Sequence, residues 1–149
     1  PKGVQVSHGN LVANEQLIRQ GFGIDLNPDD VIVSWLPLYH DMGLIGTWLG
    51  SLYHGCTLVL MSPLDFLARP ERWLWAIHQY RGTVTAAPNF AFELCVKRLI
   101  DAEREGLDLS SWRLAANGAA LSPAAVRRRP CGPSYRAVTG AAALRGRLD

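Results

Sequence analysis

Cysteine is scarce and unpatterned in this chain: Cys56, Cys95 and Cys131 are the only three in 149 residues, and no Cys-x-x-Cys occurs. An odd, scattered count argues against a disulfide framework and against a structural zinc site. Long apolar runs are missing too, since none approaches the roughly 18–20 residues that cross a bilayer. Charge of one sign is not in excess. Fifteen Lys and Arg stand against 13 Asp and Glu, a net of +2 that is too weak to point to nucleic acid. The chain opens Pro1-Lys2-Gly3, with neither an initiator Met nor a signal peptide, so a piece of a larger, cytoplasmic protein is expected. What the sequence does have is an ordinary globular balance, 48% apolar and 19% charged, which excludes a disordered or fibrous chain.

The charge is unevenly placed. Residues 1–118 hold nine Lys/Arg and twelve Asp/Glu, whereas residues 119–149 hold six Arg and only Asp149. The run Arg127-Arg128-Arg129-Pro130-Cys131-Gly132-Pro133 marks a change of composition. Residues 127–149 read as an irregular basic tail, either flexible or truncated and frame-shifted, with no sustained period of 2.0 or 3.6. A nucleic-acid arm is disfavoured because only Tyr135 interleaves the basic residues.

Before that tail, strand and helix signals alternate. Ser7 is a helix N-cap ahead of His8 to Glu15, and Gly21 or Gly23 is expected to end the helix. The β-branched run 31–35 and the apolar runs 57–61, 83–86 and 112–116 read as buried strands. Helical pattern fills 42–53, a stretch after Pro70 with Trp73, Leu74, Ile77 and Tyr80 on one face, and a stretch opened by Pro88. Ser122-Pro123 is expected to start a last short helix. Ser62-Pro63 reads as a chain break, and residues 101–108 as a charged, solvated stretch. The pattern predicts an α/β fold with a mostly parallel sheet covered by helices on both faces.

Ligands of such sheets lie beyond the carboxyl ends of the strands. Three loops qualify: 36–43, 87–90 and 117–121. Among four histidines, His40 stands out, because it follows a strand-ending Pro and precedes Asp41, Gly43 and Gly46 at a helix entry suited to an anionic group. A loop histidine bonded to backbone is the plainer alternative. His8, His54 and His78 read as structural, with no partner at metal-ligand spacing. Asp41 either holds Mg²⁺ or caps the next helix, capping being the simpler role. Asn117-Gly118-Ala119-Ala120 offers a close backbone approach to a planar ligand, though taken alone it is an ordinary left-handed turn. The five tryptophans read as core.

Four segments together carry a resemblance. Pro1-Lys2-Gly3-Val4 with Ser7-His8-Gly9-Asn10-Leu11 resembles the end of the phosphate loop of adenylate-forming enzymes. Trp35 to Gly46 resembles their histidine motif, in the form typical of the fatty acyl-AMP ligase branch. Ala87 to Cys95 is similar to that branch, and Trp112 to Ala119 resembles the family's adenine-side segment. The resemblance implies part of the large N-terminal AMP-binding domain over 1–126. It also implies ATP with Mg²⁺, a fatty acid substrate, and an acyl carrier protein or polyketide/peptide synthase as acceptor. By carry-over Lys2 belongs to the loop over the β- and γ-phosphates, and His40 meets the acyl carboxylate and α-phosphate. Asn117, Gly118, Ala119 and Ala120 line the adenine. Asp41, Met42, Gly43, Pro88, Asn89 and Phe90 border the acyl site, with Gly43 and Gly46 leaving room and Phe90 and Phe92 forming wall.

The chain departs from that pattern in three ways. The Ser/Thr/Gly-rich upstream half of the phosphate loop is not in the sequence. The branch's usual Glu-Pro after Ala119 is replaced by Ala120-Leu121. The family's later motifs, including its ribose-binding Asp and catalytic Lys, do not appear, so these residues alone are expected to be inactive. A fatty acyl-CoA synthetase and a non-catalytic nucleotide-binding remnant stay open as alternatives.

Overall fold

The computed structural model describes residues 3–22, 25–98 and 105–117. Helix α1 spans His8–Phe22. Its start is held reciprocally: Ser7 Oγ accepts from the Asn10 amide at 3.2 Å and Asn10 Oδ1 accepts from the Ser7 amide at 2.9 Å. Strand β1 (Val31–Ser34) leads through Pro37 into a π-helix, Met42–Leu49, that runs on as helix α2, Gly50–His54. Gly55 closes α2 with φ +71°, a left-handed geometry that a side chain would strain. Strand β2 (Thr57–Leu60), helix α3 (Pro63–Ala68), helix α4 (Glu71–Gln79), strand β3 (Val84–Ala87), helix α5 (Asn89–Arg98) and strand β4 (Leu114–Asn117) follow.

All pairings are parallel and the order is β2-β1-β3-β4. β1 pairs with β2 in register Val31 to Thr57, and β3 pairs with β4 in register Val84 to Leu114. From β1 the chain moves outward to β2, crosses back to β3 and continues the other way to β4. Right-handed crossovers therefore put α4 and α5 on one face and the π-helix with α2 on the other. The Trp73–Phe92 ring contact, with centroids 5.5 Å apart, joins α4 to α5 on their shared face. There the core gathers Phe66, Trp73, Leu74, Ile77, Phe92, Cys95 and Trp112 against Val33 and Ala115.

Element order and type agree with the sequence expectations, with four differences. The segment 42–49 is a π-helix rather than α. Gly43 lies so close to the preceding loop that an added Cβ would sit 2.2 Å from the Pro37 carbonyl oxygen, and the widened turn accommodates this approach. Ser62-Pro63 starts a helix instead of only breaking the chain: Ser62 Oγ accepts from the Leu64 amide at 3.2 Å and Pro63 occupies the first turn. β2 is not fully buried, because it is an edge strand among the described residues and Leu60 is exposed. Trp35, Trp73 and Trp112 are core, but Trp75 is half-buried and Trp48 exposed, so the tryptophans are not uniformly interior. The tail 127–149 and the Ser122-Pro123 helix lie outside the described residues.

The amino ends of the strands are tied by charge. Asp30, just before β1, accepts from Arg113 Nε at 2.9 Å, from Thr83 Oγ1 at 2.6 Å and from the Asn27 amide at 3.0 Å. Arg113 precedes β4 and Thr83 precedes β3, so one carboxylate joins three strand entries. Burial alone would raise the Asp30 carboxyl. The hydrogen bonds from Arg113, Thr83 and Asn27 outweigh burial and hold it below its ordinary value.

Candidate functional site

The strand order reverses direction between β1 and β3, and the crevice of such a sheet opens at that switch point. Two segments named from sequence meet it: residues 36–43 after β1 and the Pro88-Asn89-Phe90 turn after β3. Trp35 and Phe90 touch across the gap, with centroids 6.0 Å apart and planes inclined by 66°.

His40 lies in the loop with its side chain 58% exposed. Its amide donates to the Pro37 carbonyl at 3.1 Å, and its own carbonyl accepts from Leu44 at 2.8 Å. Its Nδ1 is 2.8 Å from Asp41 Oδ1 and 3.2 Å from the Met42 amide. That amide also donates to Asp41 Oδ1, at 2.7 Å. Nδ1 and Asp41 Oδ1 both accept from the Met42 amide, so the two side chains together serve the start of the helix. Nε2 has no partner among the described residues and is the ring atom open to a ligand. Asp41 thus caps the helix entry, as the simpler sequence reading has it.

Met42 packs on the core, and Gly43 is buried. The space a side chain at Gly43 would need is already taken by the Pro37 carbonyl, so this glycine permits a backbone approach instead of clearing room for a chain. Gly46 has nothing within 4 Å of an added Cβ. Thr47 Oγ1 donates to the Gly43 carbonyl at 2.6 Å and steadies the widened turn.

Across the crevice, Asn89 Nδ2 donates to Glu93 Oε1 at 2.6 Å, and Asn89 Oδ1 accepts from Asn117 Nδ2 at 3.1 Å. The turns after β3 and β4 are therefore linked by two amides named from sequence. Pro88 is half-buried and its carbonyl accepts from the Ala91 amide at 3.0 Å. Phe90 is 51% exposed. Phe92, expected beside it as wall, is fully buried against Trp73 and Trp112 and belongs to the core. Along the first turn of α5 Phe90 is exposed while Ala91 and Phe92 are buried, so Phe92 falls on the inward side. Lys2, Gly118, Ala119 and Ala120 lie outside the described residues.

Of the other histidines, His8 is exposed at the start of α1, and His54 and His78 have partners within the fold. His78 Nδ1 accepts from the Asp108 amide at 3.0 Å, and His54 Nε2 approaches buried Glu15 Oε2 at 3.9 Å. Burial raises the Glu15 carboxyl, and burial with the Arg19 charge lowers His54 against the pull of Asp25. Sequence reasoning missed Phe66, which stacks under Trp35, although the Ser-Pro signal used at 122–123 would have found its helix at 62–63. No group of three His, Cys, Asp or Glu among the described residues could hold a metal. No helix among them is long and apolar enough to cross a membrane.

A parallel sheet with a histidine loop and an amide-bearing turn at its switch point is the framework of a ligand-binding α/β domain. The chain belongs to the AMP-binding enzyme family, whose pattern matches residues 1–137. Among its relatives, the medium-chain-fatty-acid–acyl-carrier-protein ligase TtuA of Teredinibacter turnerae is 46% identical over 118 residues, covering 79% of this chain and 18% of that protein. The long-chain-fatty-acid–AMP ligase FadD26 of Mycobacterium marinum is 43% identical, covering 91% of this chain and 26% of that one. The crystal structure of fatty acyl-adenylate ligase from L. pneumophila, in complex with acyl adenylate and pyrophosphate, superposes with a TM-score of 0.72 at 49% identity, covering 78% of this chain and 20% of that one. The chain thus spans about a fifth to a quarter of the length of these relatives.

Proposed function

We propose that this chain is the histidine-loop portion of an enzyme that condenses a fatty acid with ATP, giving acyl-AMP and pyrophosphate, and passes the acyl group to a carrier protein. The observation that carries this is the meeting of the His40 loop and the Asn89–Phe90 turn at the switch point, in a chain of the AMP-binding family. The acid's carboxylate oxygen attacks the α-phosphorus, the bond from that phosphorus to the bridging oxygen breaks, and pyrophosphate leaves. Little covalent work falls to the protein; positioning and charge stabilisation dominate such transfers. His40 keeps Nδ1 beside the Met42 amide and Asp41 and directs Nε2 toward the junction of carboxylate and α-phosphate, where an Nε2–H donates to the developing charge. Asn117, with Asn89 behind it, approaches the adenine side together with residues 118–120, and Phe90 supplies apolar wall for the chain. By its resemblance to the phosphate loop, Lys2 is assigned to the β- and γ-phosphates.

Mg²⁺ is assigned to the nucleotide it accompanies, where it offsets phosphate charge. A carrier-protein thiol then takes the acyl group and AMP departs. Carrier-protein acceptance follows the name of the T. turnerae relative, and CoA is the second reading, since the putative fatty-acid–CoA ligase FadD21 of Mycobacterium tuberculosis is also 46% identical. The described cysteines, Cys56 and Cys95, are free thiols, which suits a cytoplasmic setting.

Single-turnover acyl-AMP formation in the full-length protein tests this. His40→Ala is expected to slow it by about 10²–10³, the effect of losing one transition-state donor, with ATP affinity little changed. A folded variant within about threefold of wild type would reduce the loop to a helix entry.

A further inference from the structure

Three tryptophans are buried around the candidate site, and two are pinned by hydrogen bonds. Trp73 Nε1 donates to the Val33 carbonyl at 3.3 Å, and Trp112 Nε1 donates to Thr85 Oγ1 at 3.1 Å and the Leu114 carbonyl at 3.0 Å. Trp35 Nε1 is buried with no acceptor among the described residues. A ring without a hydrogen bond takes its orientation from packing alone, and the packing on Trp35 is one-sided in strength. Phe66, fully buried, lies parallel beneath it with centroids 4.0 Å apart and planes within 6°. Trp73 meets it only edge-on, at 6.4 Å. On its remaining side Trp35 carries Phe90, the half-exposed ring at the mouth of the crevice.

Resting on the acyl-adenylation reading, we propose that Phe66 and Trp35 set the enzyme's preference for acyl-chain length by fixing the position of Phe90. They are positioning residues, which meet no substrate themselves. Phe66 comes from α3 and Phe90 from α5, so the two rings that meet Trp35 are supplied by different helices. Shrinking Phe66 removes the plate on which the indole rests. Trp35 settles toward the vacated space, Phe90 follows, and the apolar wall recedes. A deeper wall favours longer chains, because apolar sites discriminate single methylenes by about tenfold or more.

The test is kcat/KM for acyl-AMP formation by the full-length protein across saturated acids of graded length. Phe66→Leu is expected to move the optimum at least two carbons toward longer acids and to change the long-to-short ratio by about tenfold, leaving KM for ATP within about twofold. Trp35→Phe narrows the same plate and is expected to shift the profile in the same direction. Should Phe66→Leu not fold, Trp35→Phe decides alone. Ile77→Val, a core change outside the ring stack, serves as control and is expected to leave the profile unmoved. A folded Phe66→Leu or Trp35→Phe protein whose profile matches wild type within about twofold overturns the proposal, as does an equal shift in Ile77→Val. A wild-type protein that adenylates no fatty acid overturns the acyl-adenylation reading itself, an outcome visible without any variant.

Discussion

Asp30→Ala perturbs the one carboxylate that joins the entries of β1, β3 and β4. Its side chain is only 4% exposed and receives Arg113 Nε, Thr83 Oγ1 and the Asn27 amide. Removing one member of a buried ion pair costs about 3–5 kcal/mol. Arg113 keeps 43% of its side chain in solvent and still donates to the Asp25 carbonyl at 2.9 Å, so it is only partly stranded. The expected cost falls to about 2–3 kcal/mol, in line with the loss of charge-assisted hydrogen bonds. Amide hydrogen exchange reads this locally in the full-length protein. At about 1.4 kcal/mol per decade, the amides of β1 and β3 should exchange about 30- to 140-fold faster. Asp65→Ala removes the exposed pair with Arg72 at 3.1 Å and should change exchange by less than about threefold. An Asp30→Ala protein that behaves like Asp65→Ala refutes the reasoning. The pH dependence has a definite sign. The folded carboxyl lies below its ordinary value of 3.8, so its contribution is complete above that value and is lost as pH falls through the lower folded one.

Gly43→Ala places a Cβ 2.2 Å from the Pro37 carbonyl oxygen, so the loop must move. Thermal unfolding should show a loss of about 1–3 kcal/mol, the usual cost of overpacking, while Gly46→Ala, with open space around it, should be tolerated. Glu15 carries a raised carboxyl beside His54, so its contribution to stability is present below the ordinary value of 4.5 and is lost as pH rises through the folded one. Glu15→Gln should flatten that part of the stability-versus-pH curve; an unchanged slope would dismiss the burial of Glu15 as its cause.

The order and type of the elements were legible in the sequence because their causes are local. β-branched runs at 31–34 and 57–60 favour strand, Ser7 and Pro88 mark helix starts, and Gly55 marks an end. His40 was legible as a site candidate for a similar reason: a histidine after a strand-ending Pro sits at the carboxyl end of its strand in any parallel arrangement. The resemblance then gave these strand-end loops, and the segment at 1–11, one expected chemistry.

Only the tertiary structure decided which strands neighbour which. The order β2-β1-β3-β4 rests on pairings between residues dozens of positions apart, and no local pattern records them. That order puts the switch point between β1 and β3, and so brings Phe90 against Trp35. It also assigned roles that composition leaves equal. Phe90 and Phe92 are the same side chain two residues apart, yet helix geometry turns one to the crevice and the other into the core. Gly43 and Gly46 read alike as small residues until the fold lays the Pro37 carbonyl on one and leaves the other open. Asp30 and Arg113 are 83 positions apart, and only the parallel stacking of strand entries makes them partners, because a charge finds its counterpart through space and not along the chain.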